Sequence, residues 1–347
     1  MNFAIGLMPA LLFGSSSILL MRLGGNSRQQ TMGQFLGALG VAIVLALSVG
    51  VDTSPAVLLT AFVAGAVLGV GMNLQIISFH YLGVSRVMPL TTGGQLVGVA
   101  LLGIVLFGEW VGSVALPVGI AALTAILVGV VLAGWSEPGA LVSVADQPRD
   151  VAPTRAEDRA RGLQSSNAER PHPGGVADEQ SPLTAVGLTP LTAAQPSVAR
   201  NARTGMIMMA ISTLFLIAFP TLTRLWSIDP MTSLLPEAVG FVIVGLVATT
   251  PRRGTQDTRW SRATVGALLP GVLWGTGLIV LQYSINALGV AVGFALSQLT
   301  VVVATFGGIW ILHEKKTPKE MRVTLLGISF LVGGAMLLGY ANALDGI

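Results

Sequence analysis

Polar residues break the chain into long apolar runs, at 3–21, 31–51, 55–79, 87–107 and 111–135, then at 205–222, 231–249, 263–287, 290–312 and 323–340. A helix needs about 20 apolar residues to cross a hydrocarbon layer about 30 Å thick, so the pattern predicts ten membrane-spanning helices. The first run has no basic segment ahead of it and carries Gly14-Ser15-Ser16-Ser17 at its middle, which reads as a retained helix rather than a cleaved signal. Between the fifth and sixth runs the character changes. Residues 136–203 hold eight of the 18 prolines and no aromatic residue, so they cannot bury a core and are expected to form a disordered linker.

The two sides of this linker resemble each other. Gly69, Gly71 and Ser78, ahead of Leu82-Gly83-Val84, recur 206 residues on as Gly275, Gly277 and Ser284, ahead of Leu288-Gly289-Val290. Gly103-Ile104 and Glu109 recur 205 residues on as Gly308-Ile309 and Glu314. Five spans per copy is an odd number, so the second copy enters the membrane upside down. The fold class expected is therefore all-α and polytopic, with ten helices as two inverted five-helix repeats over 1–135 and 204–347.

Composition agrees and narrows the class. Charged residues make up 10% of the chain against roughly 25% in soluble domains. With no cysteine and three histidines, disulfides, thiol chemistry and a histidine-built metal centre are not expected, nor is a cofactor, and an enzyme would need clustered acids that the spans lack. Of the 19 Lys and Arg residues, 18 fall on one side when the amino terminus is placed outside; Arg224 is the exception. The positive-inside rule then predicts a plasma-membrane protein with both termini extracytoplasmic and the linker cytoplasmic. The net charge of +3 is thus explained by orientation, and no nucleic-acid partner is implied.

Polar side chains within spans mark either helix packing or a substrate path. They are Gln34, Asn73, Gln75, Thr91, Thr92 and Gln95 in the first copy, and Glu237, Gln282, Asn286, Ser297 and Gln298 in the second. Gln282 and Asn286 are four apart and share a helix face, with Trp274 about two turns earlier. Amides and hydroxyls both donate and accept, so beside an aromatic ring they suit a neutral, polyhydroxylated ligand. Glu237 is the one carboxylate placed within the bilayer, where ionisation is expensive; it is a candidate for carrying a coupling proton or for accepting hydrogen bonds from substrate. Glu109, Glu314, His80 and His313 read as boundary residues.

Four segments carry a family resemblance: Ser85-Arg86-Val87-Met88-Pro89-Leu90-Thr91-Thr92-Gly93-Gly94-Gln95-Leu96-Val97-Gly98, running on to Phe107-Gly108-Glu109-Trp110; Pro9-Ala10-Leu11-Leu12-Phe13-Gly14-Ser15; Leu234-Leu235-Pro236; and Leu296-Ser297-Gln298, leading to Glu314-Lys315-Lys316-Thr317. In these the chain resembles the glucose/ribose porter family of the drug/metabolite transporter superfamily. The resemblance implies a ten-helix inverted-repeat carrier that takes up a monosaccharide with protons by alternating access. The chain departs from the family pattern at Glu237, where glutamine is expected, and at Leu68, where an aromatic residue is common. The alternative is an exporter of metabolites, amino acids or drugs from the same superfamily.

Overall fold

The computed structural model describes residues 2–108, 114–135, 196–251, 257–288 and 297–345, which form eleven helices and no strand. These are α1 (Asn2–Arg22), α2 (Ser27–Val49), α3 (Pro55–Leu82), α4 (Val84–Phe107), α5 (Ala115–Gly134), α6 (Pro196–Leu225), α7 (Pro230–Ala248), α8 (Arg262–Gly266), α9 (Leu268–Leu288), α10 (Thr300–Trp310) and α11 (Pro318–Asp345). Among the described residues eight spans are long and apolar enough to cross a membrane, and two shorter apolar helices, Leu7–Arg22 and Thr300–Trp310, lie where the first and ninth spans are expected. The protein is a multi-pass membrane protein. Its outward face fits that solvent: Leu47, Val105, Val131 and Val247 are exposed, where lipid rather than water would meet them.

Two elements differ from the hydropathy reading. Helix α6 starts at Pro196, ahead of the sixth apolar run and inside the stretch read as linker; residues 136–195 lie outside the described structure. The eighth span is broken into α8 and α9 at Ala267. Pro270 is the physical reason: its nitrogen has no hydrogen to donate, and its ring crowds the carbonyl of Gly266 four residues back.

Helix ends are fixed by local chemistry. Asn26 and Gln29 form a reciprocal capping box at the start of α2, and Asp229 caps α7 with Pro230 at the first helical position. Thr317 and Glu320 do the same for α11, each side chain reaching the other's backbone amide, at 3.1 and 2.9 Å. Gly83 alone separates α3 from α4 and takes φ of 81°, a left-handed value that glycine adopts without strain.

Most helix packing runs between the two sides of the linker. Helix α3 packs on α6 and α7, while α9 packs on α1 and α2; α2 meets α7, α4 meets α10 and α6, α1 meets α10, and α5 lies along α11. Between apolar helices in lipid, burial supplies little net drive, so close approach at small residues does the work. A Cβ on Gly65 of α3 would strike the backbone of Glu237 on α7, and one on Gly271 of α9 would strike the backbone of Gln34 on α2. Gly240 of α7 lies against the carbonyl of Phe62 and the amide of Ala66; Gly37 of α2 lies against the carbonyl of Leu268 and the amide of Val272. Every α3 residue here has its α9 counterpart 206 positions on, and every α2 residue its α7 counterpart 203 on. The α5–α11 contact is self-matched: Gly129 meets Gly327 and Leu331, and Gly334, 205 residues on, meets Ala122 and Ile126.

Candidate functional site

The glycine crossings fix where the polar side chains lie. Because Gly271 lets α9 touch the α2 backbone at Gln34, that residue sits in a closed seam, 3% exposed, and its Oε1 has no hydrogen-bond partner. Glu237 occupies the matching place against Gly65, is 4% exposed, and forms no ion pair among the described residues, with Arg224 or otherwise. An acceptor buried without a donor costs about 1–3 kcal/mol, a cost that a ligand hydroxyl can offset.

Other sequence-selected groups join in pairs. Gln75 on α3 donates through Nε2 to Oγ1 of Thr91 on α4 at 3.1 Å, and Thr91 in turn donates to the carbonyl of Val87. Asn73, two residues before Gln75 and so on another face of α3, accepts from the hydroxyl of Thr31 on α2 at 3.0 Å. Thr92 is buried and Gln95 half-buried on α4, Gln95 one turn past Thr91. Ser297 is buried and Gln298 half-buried, the amide of Gln298 donating to the Ser297 hydroxyl at 3.3 Å. Trp274 is buried edge-on to Phe241, with ring centroids 5.6 Å apart, and Phe241 meets Phe35 at 5.2 Å; this aromatic cluster joins α2, α7 and α9. Gln282 and Asn286 lie on α9 beyond Trp274, and their side chains lie outside the described residues.

Sequence reading missed several groups. Ser233, Ser284 and Thr305 are buried with no hydrogen-bond partner for their hydroxyls. Ser233 lies one turn before Glu237 on the same face of α7, a spacing that could have singled it out. His80 is more than an interfacial residue: its Nε2 lies 2.9 Å from Oε1 of Gln30, whose own amide donates to the carbonyls of Leu20 and Gly24. Glu314 is likewise no mere boundary residue. Its two oxygens accept from the backbone amides of Val84 and Ser85 at 2.7 and 2.9 Å, capping α4 from the opposite half of the chain. Beside it, Arg86 lies 3.6 Å from Glu320, both nearly fully buried, and Lys316 donates to the hydroxyl of Thr324 at 2.7 Å. Burial, followed by the nearby Arg86 charge, pushes the Lys316 ammonium down to about 8.

Among the described residues no group of acids and histidines could hold a metal ion. The arrangement is one of neutral hydrogen-bonding groups, aromatic faces and one isolated carboxyl inside a helical bundle.

Comparison with known proteins gives the family. The family model described as sugar transport protein matches residues 4–147 and 183–341. The glucose uptake protein GlcU of Bacillus subtilis is 30% identical over 342 residues, covering 99% of both chains. A Listeria innocua protein whose name assigns it to sugar uptake is 31% identical over 342 residues, again 99% of both chains. With the model matched over both halves and relatives aligned along nearly their whole length, the chain belongs to the sugar transport protein family.

Proposed function

We propose that this protein is a secondary carrier that takes up a monosaccharide of the glucose or ribose class together with protons. Relatives named for glucose and sugar uptake support the substrate class. In this reading ten helices, built as two inverted repeats, expose one site alternately to either side of the plasma membrane, with both termini outside and the linker between the repeats, ending where α6 begins, in the cytoplasm.

The observation that carries the reading is the residue-by-residue match of the two glycine crossings, Gly65 and Gly240 with α7 and α3, Gly271 and Gly37 with α2 and α9. Matched seams of this kind are what two inverted copies need if each is to take the other's conformation in turn. Gln34, Asn73, Gln75, Thr91, Thr92, Gln95, Gln282, Asn286, Ser297 and Gln298 supply donors and acceptors for sugar hydroxyls, Trp274 supplies an apolar face for the ring, and Glu237 carries the proton.

Uptake of labelled glucose and labelled ribose into transporter-deficient cells tests this. Saturable accumulation of one of them, collapsed by a protonophore, is expected. Absence of sugar uptake together with faster loss of a preloaded amino acid or drug would favour the exporter instead.

A further inference from the structure

The face of the bundle that carries the start of α4 joins an apolar cluster to a charged one. In the first, Phe79 and Leu82 of α3 and Val84, Val87 and Met88 of α4 pack with Met209 of α6 and Ala304 of α10. The charges adjoin it, since Glu314 holds the amide of Val84. Arg86 pairs with Glu320, Glu314 caps the α4 amides, and Lys316 bonds to Thr324 next to them. Arg86 comes from the first half; Glu314, Lys316, Glu320 and Thr324 come from the second. The fit is tight: a Cβ on Gly83 would stand 2.9 Å from the Glu314 carboxylate, and one on Gly308 would stand 3.0 Å from the Ser85 amide.

We propose that Arg86, Glu314, Lys316 and Glu320 form a latch that holds the two halves together on this face and opens whenever the carrier exposes its site there. The inference gives a further role to residues outside the sugar site and rests on the carrier reading for its meaning. A buried ion pair is held firmly only when hydrogen bonds satisfy its remaining protons. Here the two guanidinium NH2 groups of Arg86 have no hydrogen-bond partner and the pair stands at 3.6 Å, so the contact seals without being too strong to release.

The latch is also one-sided. Arg86, matched at the 206-residue offset of its neighbours Leu82-Gly83-Val84, becomes Val292; at the 205-residue offset Lys316 becomes Val111 and Glu320 becomes Ala115, and only Glu314 keeps a carboxylate twin, Glu109. A two-fold exchange of conformations between the halves therefore builds no matching charge cluster on the other face. The latch biases the resting carrier toward closure on the α4 side.

The absence of cysteine makes a direct test simple, because Ser85→Cys then carries the molecule's one thiol, at a position only 1% exposed. In membranes treated with a small permeant maleimide, that thiol should react about tenfold faster or more when Arg86→Gln and Glu320→Gln are combined. The double change removes both charges and leaves no lone buried ion. Unchanged labelling in a double variant of normal membrane abundance would overturn the latch.

A second arm needs no change to the charges. Ser85 Cβ lies 3.1 Å from where a Gly308 Cβ would stand, so the Ser85→Cys, Gly308→Cys pair can form a disulfide between α4 and α10 once the two helices part by roughly half an ångström toward the usual Cβ separation of about 3.8 Å. Oxidation should stop sugar uptake and reduction should restore it; full uptake with the bond formed would equally overturn the proposal. If the unaltered protein moves no sugar, the carrier reading fails by itself, whereas the labelling comparison still decides whether the face opens.

Discussion

Gly65 on α3 and Gly271 on α9 do the same structural work in the two halves, each letting a neighbouring helix approach to backbone contact, yet the residues they face differ. Gly271 faces Gln34, an amide; Gly65 faces Glu237, an acid. The next matched pair differs too: Leu68 in the first half corresponds to Trp274 in the second, and Ala38 to Phe241. The contrast separates framework from furnishing. Small residues at the seams are duplicated because any side chain there would drive the helices apart. The facing side chains are not duplicated, as the carrier proposed above would require, because a sugar is not a two-fold symmetric object and a coupled proton would need its own partner.

If the seams are equivalent, they must fail equally. Gly65→Val and Gly271→Val each insert a branched side chain into helix backbone, and overpacking of that kind costs about 3 kcal/mol or more where nothing flexible can yield. Both variants should fall to near-background membrane abundance, measured by quantitative blotting. Tolerance of one but not the other would break the equivalence.

The furnishings should respond unequally. Trp274→Leu gives the second half the first half's residue and removes the edge-on contact with Phe241, an interaction worth roughly 0.5–1.5 kcal/mol beyond burial. The half-saturating sugar concentration should rise about tenfold, whereas Leu68→Met, a swap of similar volume, should leave it within about twofold. Equal effects at both positions would place the sugar ring between them rather than against Trp274.

A third contrast concerns Lys316, whose twin Val111 carries no charge. Burial holds its folded-state value at about 8, below its ordinary 10.5, so the folded protein sheds this proton before the unfolded chain does. Between those values the unfolded state binds more protons, and folding stability rises with pH. Below about 8 the buried charge is present in full and its penalty with it. Thermal unfolding in detergent should therefore shift upward by about a kcal/mol of stability between pH 8 and 10 in the unaltered protein, and much less in Lys316→Met.

The smallest effect is expected outside both halves. Residues 148–182 lie between the two segments matched by the family model. Their deletion should leave uptake and abundance unchanged, since a segment rich in Pro and charge and without aromatics contributes no core. Loss of uptake at normal abundance would show a role beyond connection.

Hydropathy made the helices legible because lipid enforces it: each span must carry its own apolar surface. The glycine motif was legible as well, since α3 and α9 keep one offset. The pairing of Gln34 with Glu237 was not, because their helices are matched at 203 residues rather than 206, and only the crossings reveal which positions correspond. Glu314 and His80 read as boundary residues for a similar reason. Their partners come from elements remote in sequence, 230 and 229 positions away for Glu314 on Val84 and Ser85, and 50 for His80 on Gln30. The break before α9 follows from Pro270, but hydropathy averages over it.

The central claim is that the one acid in an otherwise matched pair couples protons to sugar. Proton and sugar fluxes recorded together in proteoliposomes test it most directly. In the unaltered protein an imposed pH gradient should drive labelled sugar inward with accompanying protons. Glu237→Gln, which makes the pair uniformly amide, should abolish that accumulation and the linked proton flux while sugar exchange down its own gradient persists. An unchanged ratio of protons to sugar in Glu237→Gln would contradict the account.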